Sequence, residues 1–192
     1  MKITFVVVDI TAKAGTERTT TLLANTLVKK GYEVCIISLF RRNKSLVFYL
    51  EKKVDVLYIV DKEYSIRQSI FQRLFLIIKA FFSFQKMIGR NHCDLFIGQN
   101  FLVNLFLYFS GFAGKSVACE HNLYNIYPYP ILFFREYVYK SFYKLVSLTN
   151  KDASKFSRRL NNVKVIPNML TFTIDRTADL TSKRILSIGR LS

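Results

Sequence analysis

Two short segments of the chain carry the side chains best suited to chemistry. The first, residues 11–20, follows an apolar run that predicts a buried strand, and it contains Gly15, Glu17 and Arg18. The second, Glu120-His121-Asn122, also follows directly on a predicted strand. Ligands of open α/β sheets bind at the carboxyl ends of the strands. Both segments are therefore candidates for one site. A small-residue turn into a helix, and a histidine bonded within its own loop, would also explain them.

The first segment departs from two common nucleotide-binding patterns. It lacks the GxGxxG pattern, which argues against a nicotinamide or flavin enzyme. Lys13-Ala14-Gly15 followed by Thr19-Thr20 resembles the phosphate loop of ParA-type ATPases, in which a Gly-Lys pair precedes the Ser or Thr. Here Glu17-Arg18 stands in place of that pair, and a carboxylate repels phosphate. A ParA-like P-loop ATPase with a degenerate phosphate loop remains the alternative hypothesis.

Histidine and cysteine do not occur in a metal-binding pattern. The chain has two histidines and three scattered cysteines, Cys35, Cys93 and Cys119, so we expect no metal and no cofactor. An odd number of scattered cysteines suits a reducing compartment. The first apolar run is too short for the core of a signal peptide, and no run approaches the ~18 uninterrupted apolar residues of a membrane-spanning helix. The sequence therefore predicts a cytoplasmic protein.

Strand and helix patterns alternate along the chain. Continuous β-branched and aromatic runs predict strands buried on both faces of a parallel sheet. The predicted strands are 3–8, 33–39, 54–60, 94–98, 116–120, 145–148 and 163–166, and the predicted helices are 16–30, 64–90, 101–109, 130–142 and one capped by Thr149 or Asn150. This alternation predicts an α/β fold, a Rossmann-like doubly wound parallel sheet over residues 1–168.

The last part of the chain has a different character. A Thr-rich, irregular stretch over 169–183 follows Pro167 and predicts an interdomain linker. Residues 184–192 then form one more predicted strand. A lone strand is a poor end to a domain, so it either returns to this sheet or opens a second domain. We expect the second arrangement, with the chain truncated at the start of that domain.

Four segments resemble the family 4 glycosyltransferases in matching order and spacing across the whole chain. Ala14-Gly15-Thr16-Glu17-Arg18 is similar to the family's Gly-Gly-x-Glu-Arg segment, with Ala14 in place of the first glycine. Glu120-His121-Asn122 is similar to its His-containing tripeptide. Val165-Ile166-Pro167-Asn168 resembles the end of its first domain, and residues 185–192 resemble the first strand and loop of its second domain.

The resemblance implies a GT-B architecture, in which two Rossmann-like domains face each other across a cleft, and assigns this chain to the N-terminal, acceptor-side domain. It implies that His121 is a catalytic residue in contact with the transferred sugar. The implied substrate contacts are Gly15, Glu17, Arg18, Glu120 and Asn122, and Arg190 would hold the donor diphosphate through charge-assisted hydrogen bonds.

The implied reaction is retaining transfer of a sugar from a nucleotide diphosphate to a saccharide or lipid-linked saccharide, in the synthesis of cell-surface polysaccharide or glycan. The nucleotide-sugar is a substrate, and the resemblance implies no metal. The family's donor-domain basic residue and paired glutamates would follow Ser192, so the chain alone is expected to be inactive. A non-catalytic interaction module is a further alternative.

The charge of the chain predicts an anionic partner. There are 29 Lys and Arg residues against 13 Asp and Glu, which gives a net charge of +16. Residues 64–90 mix cations with aromatic and aliphatic side chains, as in a helix that lies on an anionic membrane, here the inner face of the plasma membrane. A half-buried helix covering the sheet would explain the same pattern. No nucleic-acid-binding motif is present, so we expect no nucleic-acid partner.

Overall fold

The computed structural model describes residues 1–65, 67–89 and 92–169. Within them, seven strands form one parallel sheet in the order β3-β2-β1-β4-β5-β6-β7. The strands are β1 (Lys2–Val7), β2 (Glu33–Ser38), β3 (Asp55–Tyr58), β4 (Leu95–Gly98), β5 (Ser116–Glu120), β6 (Lys144–Ser147) and β7 (Val163–Val165). The helices are α1 (Gly15–Lys29), α2 (Ile70–Ile88), α3 (Phe101–Phe109), α4 (Tyr129–Tyr139) and α5 (Asn150–Phe156). The predicted doubly wound α/β fold is confirmed.

Helices lie on both faces of the sheet, as the alternation of buried side chains requires. Phe5 and Ile36 point to one face, where Leu23 of α1 packs on them. Their neighbours in the strands, such as Val6 and Ile37, point to the other face, where α2 to α5 pack. Nearly every residue of β1 and β2 is buried, and these strands are mostly apolar without a regular alternation of polar residues.

Several elements begin or end at residues other than those predicted. The helix predicted over 64–90 begins at Ile70, because the Ser69 hydroxyl accepts from the Gln72 amide and the Gln72 side chain accepts from the Ser69 amide. This capping box satisfies backbone donors that would otherwise lack partners at the start of α2. The helix predicted over 130–142 ends at Tyr139. Thr149, rather than Asn150, caps α5 by accepting from the Asp152 amide.

One glycine is required by close packing between α3 and the sheet. A Cβ atom at Gly98, the last residue of β4, would overlap Asn104 Oδ1 and lie 3.0 Å from Leu107 Cδ1. The buried Asn104 side chain also donates from Nδ2 to the Tyr139 hydroxyl at 3.2 Å, which connects α3 to α4. Gly98 therefore lets α3 approach β4 immediately below the carboxyl edge of the sheet.

Two sequence predictions concern residues that the structure does not describe. The linker predicted over 169–183 lies outside the described residues except for Met169. The strand predicted over 184–192, with Arg190, lies outside them entirely. The proposed domain boundary after Asn168 therefore stays a prediction.

Candidate functional site

The strand order places a crevice at the carboxyl ends of β1 and β4. The chain leaves β1 toward β2 on one side, whereas β4 leads to β5 on the other side, so the connections diverge between them. Such a point of divergence is where open α/β sheets bind their ligands. The Gln99 amide donates to the Val6 carbonyl at 3.1 Å, which holds the first residue after β4 beside the end of β1.

A buried carboxylate fixes the loop that follows β1. Asp9 Oδ1 accepts from the amide and the hydroxyl of Thr11 at 2.9 and 2.6 Å, and Asp9 Oδ2 accepts from the Arg42 amide at 2.9 Å. The Asn43 amide donates to the Thr11 hydroxyl at 3.0 Å. These bonds join the loop after β1 to the loop after β2, so segment 41–44, for which the sequence predicted no structure, acts as a support for the site.

Helix α1 begins at the predicted segment and presents its N-terminus at this edge. Ala14 is the N-cap, and within the described residues no side chain caps the helix there. A Cβ atom at Gly15 would meet nothing within 4 Å, so the fold leaves open space beside this residue. The carboxyl group of Glu17 is buried in the first turn, and burial raises its pKa, an effect that a hydrogen bond from its own amide opposes. Arg18 lies on the exposed side of the same turn.

The predicted catalytic histidine lies beside a glutamine that the sequence analysis did not single out. His121 Nε2 is 2.6 Å from Gln99 Oε1. Because an amide oxygen can only accept, Nε2 carries the proton in this arrangement, and Nδ1 of the neutral ring carries the lone pair. Burial lowers the pKa of His121 below its ordinary value of 6.5, so the ring is neutral at pH 7.

Tyr124 anchors the loop after β5, which contains His121, through three hydrogen bonds. Its amide donates to Asp152 Oδ1 at 3.0 Å, its carbonyl accepts from Arg135 Nη2 at 2.6 Å, and its hydroxyl donates to Glu136 Oε1 at 2.6 Å. Burial by itself raises the pKa of Asp152, but the hydrogen bonds from Tyr124 and Thr149 outweigh burial and the net shift is downward. Three bonds from one residue thus tie the loop after β5 to α4 and α5.

Glu120, a predicted substrate contact, points into the protein. Its carboxylate accepts from the Tyr139 hydroxyl and pairs with Arg135 Nη1 at 3.5 Å, and both members of this ion pair are buried. The Arg135 guanidinium lies over the rings of Tyr127 and Phe156, at 5.1 and 4.9 Å from their centroids. Burial raises the pKa of Glu120, and Arg135 and Tyr139 oppose that shift. Glu120 is therefore held inside the protein, whereas Asn122 is exposed.

A pocket of about 310 Å³ opens beside His121. It lies between α1 and strands β4, β5 and β6. Its lining includes Thr19, Gln99, His121, Cys119 and the segment 166–169. The sequence analysis named Thr19 only in the resemblance to a phosphate loop, and it did not single out Gln99. Gln99 directly follows a predicted strand at the same edge of the sheet, so the rule that found His121 would also have found it.

The structure brings only some of the predicted site residues together, and Asn122 is exposed beside His121 in the chain. Gly15, Glu17 and Arg18 lie together on the first turn of α1, and His121 lies in the pocket that α1 borders. Glu120 is buried in the network below. Arg190 lies outside the described residues. Among the residues that the structure describes, no group of three His, Cys, Asp or Glu side chains could hold a metal ion.

Comparison with curated proteins gives one informative relative. No family model matches the chain. An uncharacterized glycosyltransferase from Haemophilus influenzae is 27% identical over 201 residues, which cover 99% of this chain and 53% of the relative. The chain therefore spans about half the length of the curated relative that it matches.

Solved structures share the fold. The lipopolysaccharide outer core galactosyltransferase WaaB, in its apo form, superposes with a TM-score of 0.64 at 13% identity, covering 90% of this chain and 47% of WaaB. The seven-stranded parallel sheet flanked by helices is that of the Rossmann-like domains of GT-B glycosyltransferases. Anabaena HepE, in complex with UDP and glucose, superposes on the chain with a TM-score of 0.61 at 16% identity, covering 88% of the chain and 45% of HepE. The predicted resemblance to GT-B glycosyltransferases is therefore confirmed.

Proposed function

We propose that the chain is the N-terminal, acceptor-side domain of a retaining glycosyltransferase. The enzyme would move a sugar from a nucleotide diphosphate to a saccharide or lipid-linked saccharide during synthesis of a cell-surface polysaccharide or glycan. The observation that carries the proposal is the pocket between α1 and strands β4 to β6, where His121 and Gln99 lie beside Thr19 of α1.

The groups in this pocket suit recognition of a sugar. A neutral His121 whose Nε2–H donates to Gln99 offers its Nδ1 lone pair to a sugar hydroxyl. The Thr19 hydroxyl on the opposite wall can donate or accept. The carboxyl edge of the sheet leaves open space beside Gly15, where the α1 N-terminus favours negative charge. Gly15, Glu17, Arg18 and Asn122 are proposed as substrate contacts around this opening.

The substrate classes are proposed from the relatives. HepE was solved with UDP and glucose, which supports a nucleotide-diphosphate sugar as the donor. WaaB is a lipopolysaccharide outer core galactosyltransferase, which supports a lipid-linked saccharide as the acceptor. The donor diphosphate is assigned to Arg190 and to a second domain, and we propose that no metal takes part. None of the helices within the described residues is long and apolar enough to cross a membrane. We place the protein in the cytoplasm, at the inner face of the plasma membrane.

The ParA-like ATPase is not favoured. In a P-loop, successive backbone amides wrap around the phosphates and a lysine meets their charge. Here the first turn of α1 contains the buried Glu17 carboxyl instead. Calorimetry with Mg-ATP tests this alternative directly, since micromolar affinity for ATP would contradict the glycosyltransferase proposal.

The test of the proposal is a complementation assay. The C-terminal half of the Haemophilus influenzae relative would be purified and mixed with this chain. A panel of nucleotide-sugars would serve as donors, and membranes from cells that naturally make this chain would supply the acceptor. We expect transfer in the mixture and none by the chain alone, because the donor contacts lie largely on the second domain. Retention of the anomeric configuration in the product supports the retaining mechanism. Absence of transfer with every donor favours the non-catalytic interaction module.

A further inference from the structure

Helices α2, α3 and α4 lie side by side on one face of the domain and expose apolar side chains outward. Phe81 of α2 contacts the ring of Phe109 of α3 at 6.5 Å between centroids, and Phe101 of α3 contacts the ring of Phe134 of α4 at 6.4 Å. We call the outward side of these helices the aromatic surface. It consists of Phe71, Leu74, Phe75, Ile78 and Phe82 on α2, Phe109 on α3, and Phe133 and Tyr137 on α4.

Helix α2 buries one side against the sheet and leaves its other, apolar side exposed. The opposite side of α2 supplies a complete buried stripe of Leu76, Ala80, Phe84 and Ile88. Yet Phe71, Phe75 and Phe82 remain 83%, 67% and 64% exposed. An open apolar groove of about 650 Å³ continues from α2 to α3. Contiguous apolar patches of this kind mark sites of interaction with a partner.

The charge on the aromatic surface has one sign. Helices α2 and α3 contain no Asp or Glu, and the single acidic residue of α4, Glu136, is buried and bonded to Tyr124 and Arg159. Lys79 and Lys86 are exposed on α2, each four residues after an exposed phenylalanine, so both lie beside the apolar stripe. A partner for this surface must therefore be apolar and carry negative charge.

The same charge argues against a second copy of the chain as the partner. In a two-fold dimer the same patch meets itself, so the lysines of one copy would approach those of the other. Juxtaposed like charges in an interface are unfavourable. An anionic lipid bilayer instead offers acyl chains to the phenylalanines and phosphates to the lysines.

We propose that the aromatic surface docks the domain on an anionic lipid bilayer. The phenylalanines of α2 insert into the boundary between headgroups and acyl chains, with Lys79 and Lys86 at the level of the phosphates. Helices α3 and α4 widen the contact through Phe109, Phe133 and Tyr137. The inference rests on the membrane placement within the proposed function, but it does not require sugar transfer.

Flotation with lipid vesicles tests this proposal. The 192-residue chain would be mixed with vesicles of phosphatidylcholine and phosphatidylglycerol, and separately with pure phosphatidylcholine vesicles. Binding should be confined largely to the anionic vesicles and should weaken as salt rises, because exposed charges are screened beyond about 8 Å at physiological ionic strength.

Two pairs of variants locate the docking surface. Phe71→Ser with Phe75→Ser should lower the partition coefficient by about tenfold per phenylalanine. Tyr49→Ser is the matched control, since Tyr49 is 73% exposed in a loop held to α1 on the opposite face of the sheet. None of these positions belongs to the buried stripe of α2, and circular dichroism checks that each variant is folded.

Charge reversal provides the second pair. Lys79→Glu with Lys86→Glu should lower anionic-vesicle binding by about fivefold or more per residue. Lys52→Glu with Lys53→Glu, in the exposed turn before β3, leaves the net charge equal to that of the first pair and should have a much smaller effect.

Several results would overturn the proposal. Equal binding to neutral and anionic vesicles, no binding at all, or equal losses in the variants and their controls each contradict it. So does a dimer in sedimentation analysis that Phe71→Ser with Phe75→Ser dissociates, because the surface would then be an interface between copies. Transfer activity is measured separately in the complementation assay, so a failure there leaves the vesicle result intact.

Discussion

Replacing Arg135 with leucine tests whether the buried network beneath His121 holds the fold together. In the Arg135–Glu120 pair the two side chains are 0% and 1% exposed. Removing one partner of such a pair leaves an uncompensated buried charge and costs about 3–5 kcal/mol. The variant also loses the hydrogen bond from Arg135 Nη2 to the Tyr124 carbonyl, worth about 1.5–3 kcal/mol for a charged donor. We therefore expect Arg135→Leu to lower the free energy of unfolding by about 3–5 kcal/mol or more.

The double variant Glu120→Leu with Arg135→Leu separates the buried charge from the lost hydrogen bond. Because it leaves no unpaired charge, its loss of unfolding free energy should be smaller than the sum of the two single losses, with a coupling free energy of about 1–3 kcal/mol. Some loss should persist because the bond to the Tyr124 carbonyl is still missing. Urea denaturation followed by circular dichroism measures all three variants. A loss below about 1 kcal/mol for Arg135→Leu, the level of an exposed pair, would refute the reasoning, as would additive single losses.

The pH dependence of the same variant provides an independent check. Burial already raises the pKa of Glu120, and removing the Arg135 charge raises it further. A group with a raised pKa in the folded state contributes stability that is present below its unfolded pKa and is lost as pH rises through the folded pKa. The deficit of Arg135→Leu relative to the natural chain should therefore shrink from pH 8 toward pH 5. A deficit that is constant over this range would contradict the assignment.

Three further predictions concern the edge of the sheet and its supports. Gly98→Ala should lower the free energy of unfolding by about 1–3 kcal/mol in urea denaturation, whereas Gly114→Ala, where a Cβ atom meets nothing within 4 Å, should change it little; equal effects would contradict the packing account. Gln99→Glu should raise the pKa of His121 in an NMR titration, because a carboxylate then faces Nε2, and a lowered or unchanged pKa would show that the two side chains do not meet. Because the pKa of Asp152 is lowered in the folded state, its carboxylate contributes stability above the ordinary pKa of 3.8, and this contribution is lost as pH falls through the folded pKa. Asp152→Asn should therefore reduce the fall in melting temperature at acidic pH, measured by thermal melts over a range of pH. An unchanged fall in melting temperature would contradict this.

The elements of the fold were largely predictable because strands buried on both faces leave a clear pattern. Residues 2–7 and 33–38, which form β1 and β2, are mostly apolar and rich in Val and Ile, so their composition predicts buried strands. The order of the strands in the sheet was not predictable from the hydrophobic pattern, because that pattern does not determine which strands pair. The start of α2 was predicted too early because the apolar and basic pattern continues before Ser69, whereas the capping box there determines where the helix begins.

The candidate site was only partly predictable. His121 was found because it follows a strand, but the inward direction of Glu120 depends on Arg135 and Tyr139, which lie in a helix that begins nine residues later. An arginine is rarely fully buried, and nothing in the pattern of α4 distinguishes Arg135 from an exposed cation. Its position is decided by the tertiary contacts with Glu120 and Tyr124, which a single sequence does not contain.

The measurement that tests the central claim most directly is sugar transfer by histidine variants in the complementation assay. The chain contains two histidines. His92 is exposed and precedes the amino end of β4, whereas Gln99 follows its carboxyl end, and His92 does not line the pocket, which makes it the matched control. We predict that His121→Ala lowers transfer by about a hundredfold or more, as expected for loss of a group that stabilises the reacting sugar, and that His92→Ala leaves it unchanged. Full transfer by the mixture containing His121→Ala would contradict the account.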